Sequence, residues 1–210
     1  MAVIYEAELT PGKYDLLAGW LPSKPWAAGA TELERVGAYR FDDPAGEVGI
    51  ETHVVRAGTA TLHIPVTYRA RKPFGMDDHL IGTTEHSVLG TRYVYDGCGD
   101  HVYLTALATT VLTGGEQAPV LIKQASGLEM PRDPDVLVRG ATSTEIDVPR
   151  FARVTLVEDG TSTTVQAGAV DVIVARVLPD GVDAANRPAL TGTWPGQDAP
   201  VVLAVIEETA

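Results

Sequence analysis

Two alternating apolar segments within residues 46–69 constrain the fold of this chain more than any other feature. Residues at every second position are apolar or β-branched, as is typical of half-buried strands. These positions are Val48, Ile50, Thr52 and Val54 in the first segment and Leu62, Ile64, Val66 and Tyr68 in the second. Because both sets are even-numbered, a three-residue loop at 57–59 is needed to put them on one face of a hairpin. We therefore predict that Val54 lies opposite Leu62.

The same register predicts a polar constellation on the other face of the hairpin. His53 would lie directly opposite His63, with Glu51 two residues away on the first strand. Two imidazoles and one carboxylate suit Zn²⁺ or Fe²⁺ with an open coordination position. A histidine pair that faces solvent or is covered by a partner is the commoner arrangement. We therefore expect no metal and no other cofactor, and we keep these three residues as candidate ligands.

The remaining pattern predicts an α+β fold. A short helix is expected at 14–21 and a longer one at 99–115, with Asp100 as its N-cap and a glycine pair as its end. Further strands are expected at 120–122, 136–138, 151–157, 163–165, 169–177 and 201–206. We predict an antiparallel sheet packed on two helices in residues 1–115. The β-rich remainder, residues 116–210, would pack into the same globular unit.

Composition excludes several classes of function. The chain has 210 residues, 45% of them hydrophobic, so it can bury a full core. Its net charge is −12, with 16 basic residues against 28 acidic ones, which argues against a nucleic-acid partner. The single cysteine, Cys98, cannot form an intramolecular disulfide and is interpreted as structural. We expect no membrane partner and a cytoplasmic protein, because neither a signal peptide nor a long apolar run is evident.

Motifs for common enzyme chemistry are also missing from the sequence. There is no phosphate-binding P-loop, no dinucleotide glycine motif, no nucleophile elbow and no zinc-protease helix. The residues after 115 contain no cluster like the catalytic-loop and metal-binding aspartates of a kinase. We therefore assign no catalytic residue and expect a protein that is not an enzyme.

Residues 80–115 carry a resemblance to a known family. An Ile81-Gly82-Thr83 run, a Val94-Tyr95-Asp96 element and an alanine-containing helix follow in this order. Upstream come Trp20-Leu21-Pro22, Trp26-Ala27-Ala28-Gly29 and the hairpin. Together they resemble the N-terminal cap region of bacterial maltokinases, which are aminoglycoside-phosphotransferase-like kinases that phosphorylate maltose. The resemblance covers about the first half of the chain. The second half shows no resemblance to the kinase domain that follows the cap in maltokinases.

This resemblance implies a function without chemistry of its own. In those kinases the cap lies over the nucleotide-binding lobe. By resemblance, we expect an accessory or regulatory protein that docks on a sugar kinase or another enzyme of α-glucan or trehalose metabolism. The exposed face of the hairpin, with Glu51 and Arg69, would form the contact surface.

One alternative is a carbohydrate-binding module that uses Trp26 and Trp194 to stack on a small sugar. The other is a small metal-dependent enzyme at the histidine face.

Overall fold

The computed structural model describes residues 3–5, 8–123, 129–141 and 147–209, which form sixteen strands and two α-helices. The helices are α1 (Lys13–Trp20) and α2 (His101–Leu112). The strands are β1 (Val3–Tyr5), β2 (Leu9–Thr10), β3 (Glu34–Phe41), β4 (Gly49–Ala57), β5 (Ala60–Arg69), β6 (Leu80–His86), β7 (Gly90–Asp96), β8 (Val120–Lys123), β9 (Glu129–Arg132), β10 (Leu137–Gly140), β11 (Thr155–Glu158), β12 (Ser162–Ala167), β13 (Val170–Ala175), β14 (Val177–Leu178), β15 (Ala189–Trp194) and β16 (Gln197–Glu208). The predicted α+β class is confirmed.

The strands assemble into three sheets. A seven-stranded sheet has the order β2-β6-β7-β5-β4-β3, with β14 also paired to β5. A six-stranded sheet has the order β10-β15-β16-β13-β12-β11, and a small sheet combines β1, β8 and β9. Each strand predicted in the second half overlaps an observed one, but the sequence pattern missed β9 and β15.

The hairpin of β4 and β5 forms where predicted, but with a different register. Ala57 pairs with Ala60, so the turn has two residues, Gly58 and Thr59. Gly58 adopts a φ of 60°, a conformation that glycine reaches at little cost. Val55, not Val54, therefore lies opposite Leu62, and the predicted three-residue loop is wrong.

The physical reason is that the sheet is buried on both faces. Ile50 and Val54 of β4 face α2 and the second sheet, whereas Val55 and the apolar side chains of β5 face α1 and residues 21–27. We call these the α2 face and the α1 face. Burial on both faces removes the requirement that the two apolar sets share a face, and that requirement was the basis of the predicted register.

The long helix α2 matches its prediction and lies between the two large sheets. The Asp100 carboxylate accepts a hydrogen bond from the Val102 backbone N–H at 2.9 Å, which caps the helix as expected. The buried side of the helix packs into one core with both sheets. Gly140 of β10 lies so close to α2 that a Cβ there would be 2.1 Å from the Thr110 carbonyl oxygen. The buried side of the helix is therefore held between the two sheets, while its other side, with Thr105 and Thr109, is exposed.

The second half of the chain also contacts the seven-stranded sheet directly. Val177 and Leu178 pair with β5 in antiparallel register, and Leu178 belongs to the core on the α2 face. The backbone N–H of His63 donates to the Arg176 carbonyl at 2.9 Å. The β-rich half thus extends the seven-stranded sheet and covers one of its faces.

Candidate functional site

A cluster of charged side chains lies on the α1 face around Glu51, which is only 6% exposed. The Lys13 ammonium, at the start of α1, donates to its carboxylate at 2.6 Å. The Tyr68 hydroxyl donates to the same oxygen at 3.2 Å, and an Arg40 guanidinium nitrogen lies 3.4 Å from the other oxygen. His53 Nε2 is 3.5 Å from the carboxylate. The sheet register produces this cluster, because Arg40 pairs with Glu51 across β3 and β4.

The cluster fixes the charge of its two central groups. Burial favours the neutral acid, but the positive charges nearby, from His53 when protonated, Arg40 and Lys13, outweigh it and hold the pKa of Glu51 below its usual range. Burial lowers the pKa of His53 to about 4, against the opposing effect of Glu51. At neutral pH the site therefore holds a carboxylate beside a neutral imidazole.

His63 lies on the opposite face of the sheet from His53. It pairs with Val54, whereas His53 pairs with Ile64. Its Nδ1 is 2.8 Å from the Ala175 carbonyl oxygen, so Nδ1 carries the proton and donates. Its Nε2, 2.9 Å from the Tyr39 hydroxyl, then accepts. Burial lowers the pKa of His63 to about 4. The imidazole is an internal link between β5 and the end of β13.

These positions overturn the predicted metal arrangement. Glu51 and His53 do meet, but His63 is separated from them by the sheet. Lys13 and Arg40 also form ion pairs with the Glu51 carboxylate, and their positive charges would repel a metal cation. Among the residues that the structure describes, no group of three or more His, Cys, Asp or Glu side chains is placed to hold a metal ion.

Arg69 is engaged in a second internal ion pair. Its guanidinium donates to both oxygens of the Asp100 carboxylate, at 2.8 and 2.6 Å, and the Thr67 hydroxyl donates to the same group at 2.7 Å. Asp100 is fully buried, and these hydrogen bonds overcome burial to lower its pKa. The expected docking face, with Glu51 and Arg69 pointing to solvent, is therefore wrong, because both charges are satisfied inside the protein.

Trp26 lies in a buried network that the sequence did not reveal. Its ring is 2% exposed, and its indole N–H donates to Glu158 at 3.1 Å. The Arg176 guanidinium lies 4.8 Å from the ring centroid and donates to both oxygens of Asp96, at 2.8 and 2.7 Å. The signal in the sequence was an arginine inside the apolar run 170–178. This arginine, Arg176, indicated a buried positive charge. The sequence pattern did not identify its partner, Asp96, which lies 80 residues earlier in the chain.

The remaining candidate residues are also structural in position. Trp194 ends β15 and is half-buried against the core of the α2 face. Trp26 belongs to the other core, so the two tryptophans do not form one sugar platform. Cys98 is fully buried, and burial raises the pKa of its thiol, as expected for an unreactive residue.

An open groove runs along the outer side of α2. Its volume is about 430 Å³, within the range of ligand and peptide pockets. It is lined by α2, by the turn after β3 and by residues 116–119. The lining is mixed, with six apolar residues, Phe41, Pro44, Val102, Ala106, Ala118 and Pro119, beside polar ones that include Asp42, Asp43 and Glu116. Two of these acids are engaged within the protein, because Asp43 accepts hydrogen bonds from backbone N–H groups of the turn and Glu116 pairs with Arg139 at 3.7 Å.

Few large apolar side chains are exposed among the described residues. Three lie in residues 1–115, which we call the cap-like half, namely Phe74, Val88 and Leu89, and three lie beyond it, namely Met130, Leu137 and Val157. Exposed apolar groups of this size mark candidate interaction surfaces. No helix within the described part of the chain is long and apolar enough to cross a membrane.

Comparison with known proteins agrees with the resemblance seen in the sequence. Residues 20–100 match the family model of the maltokinase N-terminal cap domain. The match begins at the last residue of α1, contains β3 to β7 and ends at the N-cap of α2, so it covers less than half of the chain. No kinase-domain family was found in the 210 residues. No curated protein matches the chain.

Proposed function

We propose, from the similarity of residues 20–100 to the maltokinase N-terminal cap domain, that this protein is a non-catalytic accessory or regulatory protein. It docks on a sugar kinase, or on another enzyme of α-glucan or trehalose metabolism. The observation that carries the proposal is this match, because it covers five consecutive strands of the seven-stranded sheet.

The chemistry of the cap-like half supports a role without catalysis. Glu51 is held by Lys13 and Arg40, and Asp100 is held by Arg69 while it caps α2. A catalytic acid, base or nucleophile must be open to its substrate, whereas these groups are engaged in internal bonds. They stabilise the sheet and helix that a partner would recognise.

The docking surface that fits this proposal is the turn between β6 and β7, which we call the β6–β7 tip, residues 87–89. Val88 is 56% exposed and Leu89 is 41% exposed, although both are large apolar side chains. The tip lies within the matched segment, and its backbone is held by the hydrogen bond from the Ser87 N–H to the Glu8 carbonyl. A rigid apolar turn can insert into a pocket of a partner with little loss of conformational entropy.

The test begins with affinity capture. The tagged full chain is used to capture partners from its native lysate at moderate salt, and the captured proteins are identified by mass spectrometry. We expect a maltokinase-type kinase or an α-glucan enzyme in near-stoichiometric amount. Capture of the protein alone, or of enzymes from unrelated pathways only, would contradict the proposed function.

The docking surface is tested with the purified partner. Val88→Ser combined with Leu89→Ser should weaken binding in calorimetry by about tenfold or more, because two apolar contacts are lost. The matched control is Leu137→Ser combined with Val157→Ser. These side chains are 53% and 49% exposed but lie outside the matched segment, so affinity should not change. Equal affinity for both double variants would show that the partner binds elsewhere.

A further inference from the structure

The β6–β7 tip is held in place by a histidine at its base. His86 is the last residue of β6 and pairs with Gly90 across the turn. Its Nδ1 lies 3.2 Å from the backbone nitrogens of both Val88 and Leu89, and both N–H groups donate to it. The two exposed apolar residues of the tip are therefore fixed by one acceptor atom, the imidazole Nδ1.

This geometry requires a neutral imidazole. Nδ1 accepts hydrogen bonds only while it is unprotonated, so the ring carries its proton on Nε2. Protonation would put a hydrogen on Nδ1 and point it at two N–H groups that are themselves donors, and the bonds to Val88 and Leu89 would be lost. Histidine is suited to such a change, because its ordinary pKa of about 6.5 lies close to neutral pH.

The groups around His86 favour its neutral form. Burial lowers the pKa of the imidazole, and the positive charges of Arg92 on β7 and Lys13 on α1 lower it further, against a hydrogen bond with its own backbone. The nearby acids are Glu85, whose carboxylate accepts a hydroxyl hydrogen bond from β7, and Glu8, which precedes the β2 residue paired with His86. The tip is thus held at neutral pH, and its release requires acid.

We propose that His86 is an acid-sensitive latch of the docking surface, whose protonation releases the β6–β7 tip and weakens binding of the partner. The latch follows from the two hydrogen bonds to Nδ1, whereas its effect on binding rests on the proposed docking function. A released tip must be ordered again when it inserts into a pocket, and this loss of conformational entropy lowers the affinity. The backbone pairing of His86 with Gly90 does not involve the ring, so acid loosens the tip without opening the hairpin.

The latch is tested in the free protein, without any partner. The full chain, labelled with nitrogen-15, is titrated from pH 8 to pH 5 by nuclear magnetic resonance, and circular dichroism checks that the fold is retained. The amide signals of Val88 and Leu89 should shift with the same midpoint as the His86 ring, below about pH 6.5. Amide signals that do not follow the His86 ring would overturn the proposal.

Two substitutions of His86 separate the latch from other effects of acid. In His86→Asn the side-chain oxygen can accept from the backbone N–H two residues on, but it does not titrate. The amides of Val88 and Leu89 should then stop responding to pH. His86→Leu has no acceptor and should lower the order parameters of both amides already at neutral pH. The matched control is His101→Gln, at an exposed position of α2, which should keep the wild-type titration.

The effect on docking is measured by calorimetry with the captured partner at pH 7.5 and pH 5.5. The wild type should bind about threefold or more weakly at the lower pH, whereas His86→Asn should lose less affinity. Equal losses for the two proteins would contradict the regulatory role even where the latch itself titrates. If no partner is captured, the docking function fails and the regulatory role with it, while the resonance titration still decides whether the latch exists.

Discussion

The two faces of the seven-stranded sheet are both buried, but by different kinds of contact. On the α2 face, apolar side chains pack against a helix that is itself covered by the second sheet. On the α1 face, an apolar patch around Leu17 borders the charged cluster of Glu51, Lys13 and Arg40. The Lys13 side chain is 28% exposed, so this cluster keeps contact with water. One strand can thus have an apolar face and a partly ionic face, with its side chains buried on both.

Truncation of a leucine on each face should give the largest difference. Leu107→Ala should lower the free energy of unfolding by about 4 kcal/mol, because the cavity lies between a helix and two sheets that cannot easily close around it. Leu17→Ala should cost about 2 kcal/mol, because the eight-residue α1 can shift into the space. Urea unfolding measures both values. Equal losses would mean that the two faces are equally rigid.

The buried histidines allow the faces to be compared by pH. Burial lowers the pKa of both His53 and His63 to about 4, below the value of about 6.5 in an unfolded chain. The unfolded chain therefore binds more protons between these values. The resulting stability is complete above about pH 6.5 and is lost as the pH falls towards 4. At pH 5 each histidine should cost roughly 2 kcal/mol relative to pH 7.5.

Single variants assign this loss to the two faces. His53→Gln should remove the part of the acid-induced stability loss that comes from the α1 face. His63→Gln should remove the part that comes from the α2 face. Each should reduce the pH-dependent loss by about half, measured by urea unfolding at pH 7.5 and pH 5. If both variants keep the full wild-type pH dependence, other groups must be responsible.

The smallest effect is expected for the ionic cluster. Glu51→Gln removes the negative charge between Lys13 and Arg40, yet it should cost only about 1 to 2 kcal/mol. Removing one partner of a buried ion pair typically costs about 3 to 5 kcal/mol, but here both cations can turn partly towards water. Glu47→Gln, at an exposed position just before β4, serves as the control and should be neutral. A cost near 4 kcal/mol for Glu51→Gln would indicate that the α1 face is as closed as the α2 face.

Local patterns predicted the elements of this fold better than their pairing. The alternation in residues 46–69 correctly indicated two strands, and Asp100 correctly indicated the start of α2, because both signals depend on neighbouring residues. The hairpin register depended instead on what covers each face. The two faces of the sheet are covered by α1 and by elements after residue 100. The prediction assumed that only one face is buried, and it was therefore wrong about the register.

The candidate site was predicted only in part for the same reason. Glu51 and His53 share a face because they are two residues apart on one strand, and the structure brings them together. The partners that define their chemistry, Lys13 and Arg40, come from other elements. The bond between Arg176 and Asp96 joins residues 80 positions apart and has no local signal. Charged residues in a strand were interpreted as a docking surface, although they neutralise each other inside the fold.

The bond between Arg176 and Asp96 has a consequence for how the cap-like half can be used. Asp96 belongs to the segment similar to the cap domain, whereas Arg176 comes from the β-rich half, and both are buried. A fragment that ended at residue 115 would leave this carboxylate without its cation, and would uncover Trp26 and the α2 face. We expect such a fragment to be unstable. The end of the cap-like half therefore does not mark a place where the polypeptide can be cut into independent parts.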